Sequence, residues 1–168
     1  MGRMEHVVTP EFLCQIGHIA VSFAVLEDVI DSFAFALINE PQRVCRAITA
    51  ELPFKNLRAL LVSLFIEKNG RTEDFARLKA LLNRAGKAEE ERNRVFHSGW
   101  GIDEENMQLV YRSRETAKEK HGLRGEGKEY TIGDLKKVGD DMLQLATEFE
   151  ELREELQTRN LLQDPFEK

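Results

Sequence analysis

The sequence predicts an all-α protein: a helical bundle of four to five helices, with a small β-hairpin inserted before the last helix. Three observations predict it. Apolar residues recur at alternating spacings of three and four along separate stretches of the chain, the period with which a helix buries one face. Only 4 of the 168 residues are proline, and long stretches are rich in Leu, Ala, Glu, Lys and Arg, which favour helix. With 42% hydrophobic and 32% charged residues, the composition is that of a folded chain and not a disordered one. A single domain over 1–168 is expected, since this length supports one sizeable core.

The first helix is expected over 9–38. Thr9-Pro10-Glu11 places an N-cap, a proline at the first helical position and an acid in the first turn. Phe12, Ile16, Ile19, Phe23, Leu26, Ile30, Phe33 and Leu37 form its seam. Cys14, Val21 and Val25 lie roughly opposite that seam. Such a helix is either central in a bundle or buries its second face against another subunit. Asn39-Glu40-Pro41 ends it and opens a short helix over 41–50; Leu52-Pro53 breaks the chain again. A third helix is expected over 54–68 with Leu57, Leu61 and Leu64 inward, closed by Asn69-Gly70.

Thr72 opens the fourth helix, expected over 72–98, with the seam Phe75, Leu78, Leu82, Ala85, Glu89, Arg92 and Phe96. Gly86 weakens it locally. A hairpin is expected over 105–131: the strand-like run 107–112 pairs with Glu129-Tyr130-Thr131, and a Gly- and charge-rich mobile loop lies between them. Thr131 and Asp134 then cap the last helix, expected over 132–157, although a capping box prefers Glu or Gln at its last position. Leu135, Val138, Met142, Leu145, Phe149, Leu152 and Leu156 are its seam, and a loose tail is expected after Gln157.

The net charge is −6, which disfavours non-specific nucleic-acid binding by the chain as a whole. A local basic patch remains: Arg112, Arg114, Lys118, Lys120, Arg124 and Lys128 stand against three Glu over 112–128. The two cysteines, Cys14 and Cys45, sit in apolar helical contexts and read as reduced core thiols of a cytoplasmic protein. The N-terminus lacks the apolar core of a signal peptide. The most apolar stretch, 19–38, is interrupted by Glu27, Asp28 and Asp31, so it reads as a core helix and no membrane association is expected.

The fourth helix carries the anomaly that points to chemistry. Arg92 occupies a seam position where an apolar residue belongs, and a buried guanidinium needs an anion or a set of acceptors. His97 follows five residues later, about 140° further round the helix, so the two do not share one face, but both can border one cleft because Arg is long and the helix ends at His97. An imidazole moves protons near neutral pH. A guanidinium offers a planar, permanently charged fork to phosphate oxygens.

Arg92-Asn93-Arg94-Val95-Phe96-His97 resembles the Arg-x4–6-His motif of the HEPN superfamily. In those helical bundles the motif ends the penultimate long helix, and two copies usually face each other across a homodimer. Catalytic members are metal-independent endoribonucleases without a cofactor, common in toxin–antitoxin, defence and stress systems; many members only bind partners. The resemblance implies that His97 acts as base on a ribose 2′-hydroxyl or as acid on the leaving oxygen. It implies that Arg92 stabilises charge on the scissile phosphate, and that Asn93 orients its neighbours or the phosphate. RNA and a cognate antitoxin or other protein are the partners it implies. Arg94 adds a second guanidinium, and either one can face the cleft. The acidic run Glu89, Glu90 and Glu91 repels RNA unless it pairs with Arg92 or Lys87. The competing expectation is a non-catalytic dimeric module that binds a protein.

Other candidates are weaker. Glu27, at the edge of the first seam, either supports Arg92 as its counter-charge or reaches solvent. Cys14 and His18 have the i, i+4 spacing that metal sites use, but neither Cys45 nor His121 supplies a paired motif, so no metal is expected. Trp100, Tyr111 and Tyr130 either stack bases or pin the hairpin to the bundle. No phosphate-cradling glycine loop precedes a helix.

Overall fold

The computed structural model describes residues 9–102, 110–118 and 122–162, with side chains given outside 102–126. Five helices and three strands follow one another as α1 (Pro10–Ile38), α2 (Gln42–Thr49), α3 (Phe54–Asn69), α4 (Glu73–Phe96), β1 (Gly99–Ile102), β2 (Val110–Lys118), β3 (Gly122–Tyr130) and α5 (Ile132–Thr158). The fold is thus the expected helical bundle with a β element before the last helix.

α1 is the axis of the bundle. Its seam is buried from Phe12 to Leu37, with Ile16 half-buried, and residues 33–37 are enclosed on every side. It makes its most extensive contact with α5 and further contacts with α2, α3 and α4. Asn39 ends it in the left-handed conformation (φ 61°), with its N–H on the Phe35 carbonyl at 2.9 Å, a geometry that asparagine tolerates. Cys45 is buried, as expected, and its thiol donates to the Glu40 carbonyl at 3.2 Å. Cys14 is exposed instead, because it lies on the face of α1 that no described element covers.

α3 turns Phe54, Leu57, Leu61 and Phe65 inward. Leu64, expected in this seam, is half-buried, since a step of four from Leu61 keeps closer to the same face than a step of three. α4 begins on Thr72, whose hydroxyl accepts from the Phe75 N–H at 3.3 Å. Its stripe follows the expected course through Phe75, Leu78, Leu82 and Ala85, then passes through Ala88 and Val95. Glu89 and Phe96 are therefore not core residues, and Phe96 is exposed. The stripe expected from spacing and the stripe observed differ by one residue at two turns; both contain Arg92.

α5 lies against α1 and α4. Its capping box is complete with aspartate: Asp134 N–H reaches Thr131 Oγ1 at 3.1 Å and Thr131 N–H reaches Asp134 Oδ2 at 2.8 Å. Its seam is buried as expected, with Val138 half-buried. Two bidentate rungs, Arg77 to Glu155 and Arg84 to Glu148, fix its antiparallel register on α4. Past the helix the chain folds back: Arg159 pairs with Asp74 at 2.9 and 3.0 Å, and Leu162 is buried. The tail is docked here and not loose, because Asp74, buried at the start of α4, draws the guanidinium in. Residues 163–168 lie outside the described part.

The β element exceeds the expected hairpin. β2 and β3 pair with Val110 opposite Tyr130 and Arg112 opposite Lys128, then continue to Lys118 opposite Gly122. The stretch expected as loop thus carries most of the ladder, paired through its backbone although its glycines are poor strand formers. β1 adds a third antiparallel strand, Gly99 opposite Ser113 and Ile102 opposite Val110. Thr131 caps α5 and does not extend the strand; Met107 and the tip at 119–121 lie outside the described residues.

Candidate functional site

The motif occupies the last turn of α4, and three bonds fix that turn. The His97 N–H donates to the Asn93 carbonyl at 3.0 Å, the Ser98 hydroxyl to the Arg94 carbonyl, and the Trp100 indole N–H to the Val95 carbonyl at 3.0 Å. Helix ends leave carbonyls unpaired; here a serine and a strand tryptophan satisfy two of them. Trp100 also packs on Tyr130 with ring centroids 5.7 Å apart. Tyr130 is buried and donates to Glu91. These two aromatics therefore pin the sheet to the bundle. Tyr111 lies outside the residues whose side chains are described, as do the basic residues of the patch up to Arg124. Lys128 lies over the Tyr130 ring at 4.5 Å.

Arg92 is half-buried between two rings. Its guanidinium carbon lies 4.9 Å from the Phe96 centroid and 5.6 Å from that of Phe23 on α1. Nη1 donates to Asn93 Oδ1 at 3.0 Å. Nε is enclosed and has no acceptor. Among the described residues, no carboxylate forms an ion pair with Arg92. Cation–π contact holds the group without neutralising it.

The acidic run next to it is committed elsewhere. Glu89 accepts from Arg58 of α3 at 3.2 Å. Glu91 accepts from Arg94 at 3.0 Å and from Tyr130 at 2.9 Å. Glu90 is exposed and lies 3.9 Å from Arg94. The acids pair, but with Arg58 and Arg94 and not with Arg92 or Lys87. Arg94 is thereby balanced by carboxylates on its own helix, and Arg92 is the motif guanidinium that has no ion pair among the described residues.

Glu27 is exposed on α1. Its carboxyl is held above the usual carboxylate range: partial burial is the main cause, the charge of Arg92 opposes it, and Asp31 and Glu89 add to it. The field of Arg92 reaches Glu27, but the pair does not close into an ion pair. Water still reaches Glu27, so it does not seal Arg92. Asn93 is half-buried beside Arg92, and His97 is exposed at the helix end. The structure thus gathers Arg92, Asn93 and the Phe rings into one cluster, while His97 stands exposed at the helix end with no described side-chain contact to them.

No family model, curated protein or solved structure matches this chain. The site is therefore characterised by its own geometry. His18 does not act with Cys14: its Nε2 lies 3.0 Å from Asp140 Oδ1 and its Nδ1 3.4 Å from the Ser22 hydroxyl. Among the described residues no group of three His, Cys, Asp or Glu is arranged to hold a metal, and no helix is long and apolar enough to cross a membrane. An open groove of about 430 Å³ between α4 and α5, floored by Ala88, Met142 and Leu145, contains none of Arg92, Asn93 or His97.

Sequence reasoning missed Phe23, Phe96 and Arg58 as parts of this site. Phe23 read as ordinary seam. The available signal for Arg58 was Gly86, since a glycine inside a helix marks a close approach by something else.

Proposed function

We propose that this chain is a metal-independent endoribonuclease of the HEPN type, cytoplasmic and homodimeric. The observation that carries the reading is Arg92: a guanidinium drawn into the structure by two aromatic rings, with no ion pair among the described residues, while Glu89 and Glu91 of its own helix are engaged with other cations. That arrangement is wasteful for a structural arginine and suited to one that receives a phosphate.

In the reaction, His97 removes the proton of a ribose 2′-hydroxyl, and the oxygen attacks the adjacent phosphorus. The bond to the 5′ oxygen breaks, and that oxygen takes a proton from an imidazolium, which a second copy's motif supplies across the dimer. The products are a 2′,3′-cyclic phosphate and a 5′-hydroxyl. Arg92 stabilises the charge that builds on the phosphoryl oxygens, and Asn93, already bonded to Arg92 Nη1, fixes its orientation. A toxin, defence or stress role, with an antitoxin or other protein as regulator, follows from the resemblance of the motif.

The second reading, a non-catalytic dimeric interaction module, is favoured by a different observation. Val21 and Val25 of α1 and Val44 and Ile48 of α2 are exposed, giving each of these helices an apolar surface suited to another protein. The same surfaces supply the ribonuclease with its dimer contact, so they do not separate the two readings.

Incubating the protein with mixed RNA in EDTA, beside Arg92→Ala and His97→Ala, separates them. Cleavage with cyclic-phosphate ends that both substitutions abolish supports the ribonuclease. A folded dimer that leaves RNA intact over a range of salt supports the interaction module.

A further inference from the structure

Arg58 lies outside the motif, on α3, yet its surroundings are built around it. Nη1 donates to the Leu82 carbonyl at 3.1 Å and Nη2 to Glu89 Oε2 at 3.2 Å. The guanidinium also lies over the Phe54 ring at 5.4 Å. Phe54 meets Phe23 edge-on, with centroids 5.0 Å apart, and Phe23 is the ring beneath Arg92. The space for Arg58 exists because residue 86 is glycine: a Cβ there would stand 2.3 Å from Arg58 Nη1. A mid-helix glycine weakens α4, and this contact is what it permits.

The destination of that guanidinium is Glu89. Glu89 and Arg92 are i, i+3 on α4, the spacing at which an acid and a base on one helix pair by themselves. Arg58 and Glu89 are about three-quarters buried, with side-chain exposures of 21% and 25%, so their pair is screened less by water than a surface one. Two residues on, Glu91 is occupied in the same way by Arg94 and Tyr130.

We infer that Arg58 is a positioning residue for the motif: it holds Glu89 away from Arg92 and so keeps the Arg92 charge available to a phosphate. The inference rests on the ribonuclease reading for its ligand, but its mechanism is electrostatic and is read by binding alone. Without Arg58, a half-buried Glu89 is left without its cation and turns to the nearest one, Arg92. RNA must then displace a carboxylate from its own receptor.

The test uses a fluorescently labelled single-stranded 2′-O-methyl RNA, which binds but lacks the attacking hydroxyl. Affinity is measured by anisotropy for the full chain, Arg58→Met, Glu89→Gln and the double variant, with thermal melts beside each. Arg58→Met is expected to weaken binding about tenfold, the size of one ion-pair competition. Arg58→Met/Glu89→Gln is expected to restore it to within about threefold, which loss of packing does not do. A double variant as weak as Arg58→Met overturns the inference, as does unchanged binding by Arg58→Met. If Arg58→Met fails to fold, Gly86→Ala displaces the same guanidinium with nothing removed, and Glu89→Gln must rescue it equally. Arg92→Ala, run in parallel, keeps the two ideas apart. Loss with Arg92→Ala but none with Arg58→Met overturns the inference only; unchanged binding by Arg92→Ala overturns the ribonuclease reading and the inference with it.

Discussion

The Tyr130 hydroxyl donates to Glu91 Oε1 at 2.9 Å while Glu91 Oε2 accepts from Arg94. The last residue of β3 is thereby tied to α4 one position before Arg92. Tyr130 is buried, so Tyr130→Phe removes a hydrogen bond to a charged group at little change in volume. The expected loss is about 1.5–3 kcal/mol, read as a lower urea midpoint with unchanged slope.

Arg92→Ala separates stability from activity. The residue makes ring contacts and one amide hydrogen bond but no ion pair among the described residues. Its removal is expected to cost no more than about 1–2 kcal/mol in stability, and to lower the rate of RNA cleavage by roughly 10²–10³-fold. Arg92→Lys is expected to recover little, because a point charge replaces a planar fork that both stacks and chelates. Single-turnover cleavage and calorimetry on the same samples check both halves.

Gly139 permits the α1–α5 contact at His18. A Cβ at residue 139 would stand 2.3 Å from His18 Cδ2, and the ring holds Asp140 at 3.0 Å. Gly139→Ala is expected to push the imidazole outward and to destabilise by about 1–3 kcal/mol. The marker is the loss of the His18–Asp140 interaction, visible as a change in the His18 ring resonances by NMR.

Acid acts on the α4–α5 rungs. The Arg84 guanidinium hydrogen-bonded to Glu148 holds that carboxyl below the usual range, and Arg77 does the same for Glu155. A depressed folded-state value means that the stabilisation is present above the unfolded value, about 4.3 for Glu, and is lost as pH falls through the folded one. Glu27 and Asp31 behave oppositely, since burial raises both, and their ionisation above the unfolded value opposes folding. Stability is therefore expected to fall below about pH 4, less steeply in Glu148→Gln, and Glu27→Gln is expected to be neutral or slightly stabilising near pH 7. Urea titrations across pH give the slopes.

The longest helices were legible because each carries a whole seam: the eight apolar residues of α1 and the seven of α5 turn inward as spacing places them, with only Ile16 and Val138 half-buried. The end of α4 was not. Alternation of three and four is satisfied by Glu89 and Phe96 as well as by Ala88 and Val95, and only the three-dimensional packing, which buries Val95 and leaves Phe96 exposed, decides between them. The sheet was undercounted for a related reason. Its ladder is made of backbone bonds through Gly122, Gly125 and Gly127, residues that carry no pattern to read. Within the site, Arg92 announced itself as a charge in an apolar seam. Which acid it lacks was not readable, because Arg58 and Glu89 are 31 residues apart and meet only through the α3–α4 contact.

The dependence of α1 on α5 has a consequence during synthesis. α1 leaves the ribosome well before α5, the element that covers it most extensively. The part of the α1 surface that faces α5 stays wet, or in the hands of a chaperone, until residues 132–158 have been translated. A ribosome that stalls in the sheet therefore leaves a sticky fragment: Arg92 and its two rings are already made, but the α5 face of α1 is still uncovered.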